Sequence, residues 1–136
     1  MTQHYVGTKI IEAWPAEQLI AEGGSRPGYG VKYADGYTSW SPKDAFEAAY
    51  IPLGQIAHLP PHVQRMVAEL EQLDDRISKL GKFQGTDIYA SLPEEERKDL
   101  DTQAQCMVAY WNALLIRVER ARGEFEHAAA GSSTPT

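Results

Sequence analysis

LPPHVQRMVAELEQLDDRISKLGKF (residues 59–83) sets Val63, Met66, Leu70, Leu73, Ile77 and Leu80 three and four positions apart, with Glu, Gln, Asp and Arg between them. That spacing is one apolar stripe on an α-helix with a polar face opposite. Pro60 and Pro61 open the helix; Gly81 and Gln84-Gly85-Thr86 close it. Downstream, Ser91-Leu92-Pro93-Glu94 has the form of a capping box, followed by acidic Glu95 and Glu96 in the first turn of a return helix. Its stripe is Leu100, Gln103, Met107, Tyr110, Leu114, Val118 and Ala121, widened by Trp111 and Leu115. The second half is therefore an antiparallel helical hairpin over residues 56–126. A tail over residues 127–136 is expected to be disordered.

Residues 1–55 have a different character and hold most of the glycines. Tyr5–Trp14 is rich in β-branched and aromatic residues and stops at Pro15, as a strand does. Ala16–Glu22 reads as one or two helical turns, and Gly23–Gly28 as a loop. Alternating residues on either side of Asp35-Gly36 predict a β-hairpin with a tight primed turn. Ser41 as N-cap and Pro42 at the first helical position then start a short helix to about Tyr50. The fold class is α+β: a small N-terminal antiparallel sheet with a short helix, then the long hairpin.

Two helices of roughly 20 and 30 residues cannot bury so wide a stripe against each other alone. Self-association is expected, with Met66, Leu73, Met107, Trp111 and Leu115 supplying a core between chains.

The 136 residues are 43% hydrophobic and 24% charged, the usage of a soluble globular protein. A net charge of −6 argues against binding a DNA or RNA polymer, which needs a basic excess. No apolar run reaches the roughly 18 residues of a membrane span and no signal-peptide core is present, so a cytoplasmic setting is expected. Cys106, the one cysteine, reads as packing or an oligomer seam. His58 and His62 are four apart, but Pro60 and Pro61 deny them the helical turn a metal pair requires, so neither a metal nor a cofactor is expected. Glycine-rich phosphate loops, nucleophile elbows and zinc-protease signatures are all lacking, and no enzymatic activity is expected.

What remains is aromatics beside isolated cations. Tyr29, Tyr33, Tyr37 and Trp40 lie on the short sheet, Phe83 and Tyr89 in the turn between the helices, and Lys79, Lys82, Arg117 and Arg120 toward helix ends. Aromatic planes stack bases and cationic forks hold phosphate. Core packing and helix-dipole complementation are the plainer readings of the same residues.

Three blocks carry a resemblance. YVGTKIIEA (5–13), Gly30–Pro42 with DGYTSWSP (35–42), and Ala45–Tyr50 resemble the N-terminal portion of the phage Thoeris anti-defence one family. The hairpin, with IYASLPEEE (88–96) and QCMVAYWNALLIRV (105–118), resembles the one that family shares with the phage anti-CBASS two proteins. The segment Pro15–Gly28 is shorter than the family's, and Arg26 is its only cation.

The resemblance implies a non-catalytic sponge in the cytoplasm of an infected bacterial host. Such a protein sequesters cyclic nucleotide immune messengers, cyclic ADP-ribose isomers and also cyclic di- or trinucleotides, and so blocks Thoeris and CBASS signalling. It further implies helix-mediated dimers assembled into hexamers. On this reading Phe83 and Trp40 stack a base, Arg117 and Lys79 meet phosphate, and Tyr37, Ser41 and Gln105 form hydrogen bonds. Backbone N–H groups after Ser41 are a further phosphate position. The competing readings are a structural or adaptor oligomer that binds another protein, and an enzyme that cleaves the messenger.

Overall fold

The computed structural model describes the backbone of residues 1–132 and side chains through residue 126. The chain divides into two compact units, Met1–Ile51 and the part from Pro52 onward.

In the N-terminal unit, β1 (Glu12–Pro15), β4 (Gly28–Lys32) and β5 (Thr38–Pro42) form an antiparallel sheet in the order β1-β4-β5. Strand β4 is central: Trp14 pairs with Gly30, which also pairs with Trp40. The expected strand from Tyr5 is shorter. Residues before Glu12 have no strand partner, and Tyr5 and Val6 are exposed. β-Propensity there meets no neighbouring backbone to bond.

Ala16–Glu22 is not helical. Gln18–Leu19 (β2) and Ser25–Arg26 (β3) form a second antiparallel pair. Its turn is closed by Gly23 N–H to the Ile20 carbonyl (3.2 Å) and Ile20 N–H to the Gly24 carbonyl (3.0 Å), with Gly23 at φ 83°. The β4–β5 turn repeats this design. Gly36 N–H bonds the Tyr33 carbonyl (2.9 Å), Tyr33 N–H bonds the Tyr37 carbonyl (2.9 Å), and Gly36 has φ 90°. Both are three-residue loops, a type I turn followed by a left-handed glycine; at Asp35-Gly36 this stands in place of the expected two-residue primed turn. Asp35 has no positive φ; its carboxylate accepts the Tyr37 N–H at 2.9 Å. Helix α1 (Lys43–Ala49) covers one sheet face, where Tyr29 stacks on Phe46 (4.3 Å) and Phe46 on Tyr50 (4.9 Å). Val31, the buried apolar side chain of that unit's core, is 2% exposed.

Helix α2 (Pro61–Gln84) runs through Gly81 to a cap at Gly85. A short α3 (Asp87–Ser91) precedes α4 (Glu94–Ser132), which packs against α2. Val63, Val67, Leu70 and Leu73 of α2, Leu114 and Val118 of α4, and Ile56 and Leu59 ahead of α2 form the core. Leu73 is thus buried within one chain. Met66, Met107, Trp111 and Leu115 are half-buried, and Gln103, Tyr110 and Cys106 are exposed. The seam on α4 lies closer to Ala104 and Trp111 than the sequence stripe implied.

Ser91 does not cap α4. It is the last residue of α3, and its hydroxyl donates to the Ile88 carbonyl at 2.7 Å. Ser41 likewise belongs to β5, and Pro42 is the N-cap of α1. Proline is also the N-cap of α2 (Pro60) and directly precedes α4 (Pro93). A residue without an N–H and with a fixed φ loses nothing at a position where the amide has no helical partner. The tail expected from His127 is helical backbone to Ser132, in keeping with the helix propensity of Ala128–Ala130. Residues 133–136 lie outside the described residues.

Candidate functional site

At the closed end of the hairpin, local chain chemistry folds two aromatic rings together. The Thr86 hydroxyl donates to the Phe83 carbonyl (2.6 Å) and accepts the Tyr89 N–H (3.2 Å), so one side chain ends α2 and starts α3. Tyr89 is thereby turned back toward Phe83; their centroids are 6.2 Å apart at 80°, an edge-to-face pair. The Tyr89 hydroxyl donates to the Asp101 carboxylate, which also accepts from Gln84 Nε2 at 3.0 Å. With Asp101 so engaged, Arg97 forms no ion pair among the described residues, and its Nε is buried without a partner. An edge-to-face aromatic pair, an anchored carboxylate and an uncommitted guanidinium form a surface suited to a planar, anionic ligand.

Hydrogen bonding to Asp101 raises the Tyr89 phenol above its ordinary 10.0; burial and the Asp101 charge add to this, and Arg97 opposes it. Tyr110 is raised for the same reasons by Glu69, whose carboxylate accepts its hydroxyl at 2.6 Å. A raised folded-state value means that the folded chain holds these protons more tightly than the unfolded chain. Their stabilising contribution is therefore complete below pH 10.0 and is lost as pH rises through the raised values. Helical melting temperature should fall over that alkaline range. The Tyr89→Phe/Tyr110→Phe double variant should show a flatter decline when followed by circular dichroism.

The sequence candidates do not converge. Lys79 is held by Asp75 at 2.8 Å, one turn from Phe83. Arg117 lies toward the other end of the hairpin, with Nη2 against Met66 Sδ at 3.9 Å. From Met66 to Gln84 along α2 is about 27 Å at ~1.5 Å per residue. One small ligand therefore cannot touch both Phe83 and Arg117 of the same chain. Gln105 is exposed on a separate face of α4, where it lines a shallow depression with Val108, Ala109 and Asn112.

In the N-terminal unit, Trp40 and Ser41 alternate along β5 and so lie on opposite sheet faces. Tyr37 is exposed and stacks on Tyr33 at 6.0 Å. The Lys43 N–H at the start of α1 is already bonded to the Pro27 carbonyl at 3.2 Å, so it is not open to phosphate. A hollow of about 320 Å³ at this end of the sheet is flanked by Glu17 and Lys43.

Sequence reasoning missed Arg97, set among the acidic residues of a first turn, where its spacing of four from Asp101 reads as an ordinary helix ion pair. It also missed Trp14, which the register places beside Gly30. Among the described residues, no three of His, Cys, Asp and Glu gather as a metal site, and no helix is long and apolar enough to cross a membrane.

No curated protein and no solved structure matches the chain. Residues 60–120 match a family described as Sequestin. The matched segment takes in the hairpin seam, the Phe83–Tyr89 pair, Arg97 and Arg117, and the family's name fits a sequestering protein.

Proposed function

We propose that this chain is a phage anti-defence sponge: it binds cyclic nucleotide messengers, holds them unchanged, and so blocks Thoeris and CBASS signalling in the cytoplasm of the infected host. The observation that carries the reading is the match of residues 60–120 to Sequestin, over the segment in which Phe83 pairs with Tyr89 and Tyr89 lies within the electrostatic reach of Arg97. Phe83 offers its ring to a base, and Arg97 offers the Nη end of its guanidinium to phosphate, its Nε being buried. A sponge requires affinity and a preformed site but no acid, base or nucleophile, so the protein is read as non-enzymatic.

Residues 102–116 of α4 contain no charged side chain, and Val108, Tyr110 and Ile116 are exposed along them. This supports assembly of the chain into dimers and hexamers, and such assembly would let different copies supply Phe83 and Arg117 to neighbouring sites. The same exposed stretch favours the second reading, an adaptor oligomer that binds another protein.

Capture and release distinguishes the readings. Purified protein incubated with a cyclic ADP-ribose isomer and a panel of cyclic dinucleotides, washed and then heated, should return the captured messenger with unchanged mass. Phe83→Ala should weaken capture by about 1–3 kcal/mol, the scale of one lost base–aromatic stack. Absence of any capture sinks the sponge and leaves the adaptor; recovery of a linear product identifies an enzyme.

A further inference from the structure

The central strand of the N-terminal sheet carries glycine at two successive positions on one face, Gly28 and Gly30, both buried. The neighbouring strands fill the space. The Trp14 indole lies across Gly30 and the Trp40 indole across Gly28, each within 3.0 Å of where a Cβ would stand. Positions 28 and 30 are two residues apart on one strand, so the indoles lie side by side at a pitch of about 7 Å. Trp40 is pinned by its Nε1–H to the Ala16 carbonyl at 2.7 Å. Trp14 is 45% exposed.

Cations border this aromatic floor. The Arg26 guanidinium lies 5.2 Å from the Trp40 ring centroid, and Arg26 Nη2 donates to Gln18 Oε1 at 2.9 Å. Among the described residues no carboxylate pairs with Arg26, so most of its donors are uncommitted. Strand alternation places Lys32 on the same face, opposite Glu12. The local balance is positive in a chain of net charge −6.

We propose that the Trp14–Trp40 floor is a binding site for a planar heteroaromatic ring that carries phosphate, namely a purine nucleotide. The ring stacks on the exposed indole of Trp14 and the phosphate takes the free donors of Arg26. A small ligand suits the site better than a protein partner. An indole offers only about 150–250 Å² of surface, far below the roughly 800 Å² per partner of a stable protein interface. The site lies outside residues 60–120 and does not depend on how the hairpin functions.

The test uses the full chain carrying Trp111→Phe, so that Trp14 and Trp40 are its only tryptophans. Titration with AMP should give saturable quenching of their emission. Trp14→Leu should raise the AMP Kd about tenfold or more, while Trp14→Phe, which keeps a ring over Gly30, retains most of the affinity. Arg26→Gln should weaken AMP about tenfold and leave adenosine unaffected, because only the phosphate contact is lost. Phe83→Ala should leave AMP quenching intact, which separates this site from the hairpin. The proposal is overturned if quenching does not saturate or if Trp14→Leu binds AMP as tightly as its parent. It is equally overturned if Trp14→Leu changes the sedimentation coefficient, which would make this face a contact between copies.

Discussion

Leu114→Ala should destabilise the helical unit by about 2–5 kcal/mol, the range for deleting a fully enclosed leucine side chain. Leu114 is 1% exposed in the seam between α2 and α4, against the row of Val63, Val67, Leu70 and Leu73. The lost methyls forfeit their transfer free energy, and rigid helices on both sides cannot close the gap. For a unit of this size the loss lowers the thermal midpoint by about 10 °C or more, read from the helical circular dichroism signal. Ile88→Ala in α3 removes a side chain that is 66% exposed and should shift the midpoint far less. Equal effects from the two variants would show that the seam is misplaced.

Gly28→Ala should disrupt the N-terminal sheet and leave the helical unit folded. The added methyl would meet both the Trp40 indole and the Ser41 carbonyl well inside 3.0 Å. The indole belongs to a side chain that could swing away; the carbonyl is backbone of the paired strand β5 and cannot. Overpacking of this kind costs about 1–3 kcal/mol where the surroundings yield, and more where they do not. A sheet with so little buried apolar surface has a small reserve to absorb it. In a Trp111→Phe background, the near-ultraviolet circular dichroism of Trp14 and Trp40 should collapse while far-ultraviolet helicity persists. Gly7→Ala, with nothing within 4 Å of the new methyl, serves as the silent control.

The helices were legible because their apolar spacing repeats over many turns, and a long periodic signal outweighs any single ambiguous residue. Even there the buried row on α2 includes Val67 in place of Met66, since packing against α4 selects the branched side chain nearer the seam. The β2–β3 pair was not legible. Ala21 and Glu22 are good helix formers, and a type I turn holds its two central residues in helical dihedrals, so their propensity is satisfied by a turn. Ala34-Asp35-Gly36 builds the same turn and was recognised as a hairpin only because strands flank it clearly. Caps were misplaced by one and two residues where proline competed with serine, at Ser41-Pro42 and Ser91-Leu92-Pro93.

Of the aromatics and cations singled out in the sequence, Phe83 and Tyr89 do meet in the turn between the helices. Helical rise separates Phe83 from Arg117, strand alternation separates Trp40 from Ser41, and Asp75 occupies Lys79. Arg97 and Trp14 became visible only through a vacated ion pair and a strand register, which are properties of the folded chain.

The glycines of β4 also bear on how such a sheet can drift between generations. Trp14 with Gly30 acts as one heritable unit: a bulkier residue at 30 fits only where the side chain at 14 is smaller, and a smaller residue at 14 leaves a bare furrow of backbone until the glycine grows. Gly28 has no such partner to trade with, because the Ser41 carbonyl bars a side chain there whatever stands at position 40.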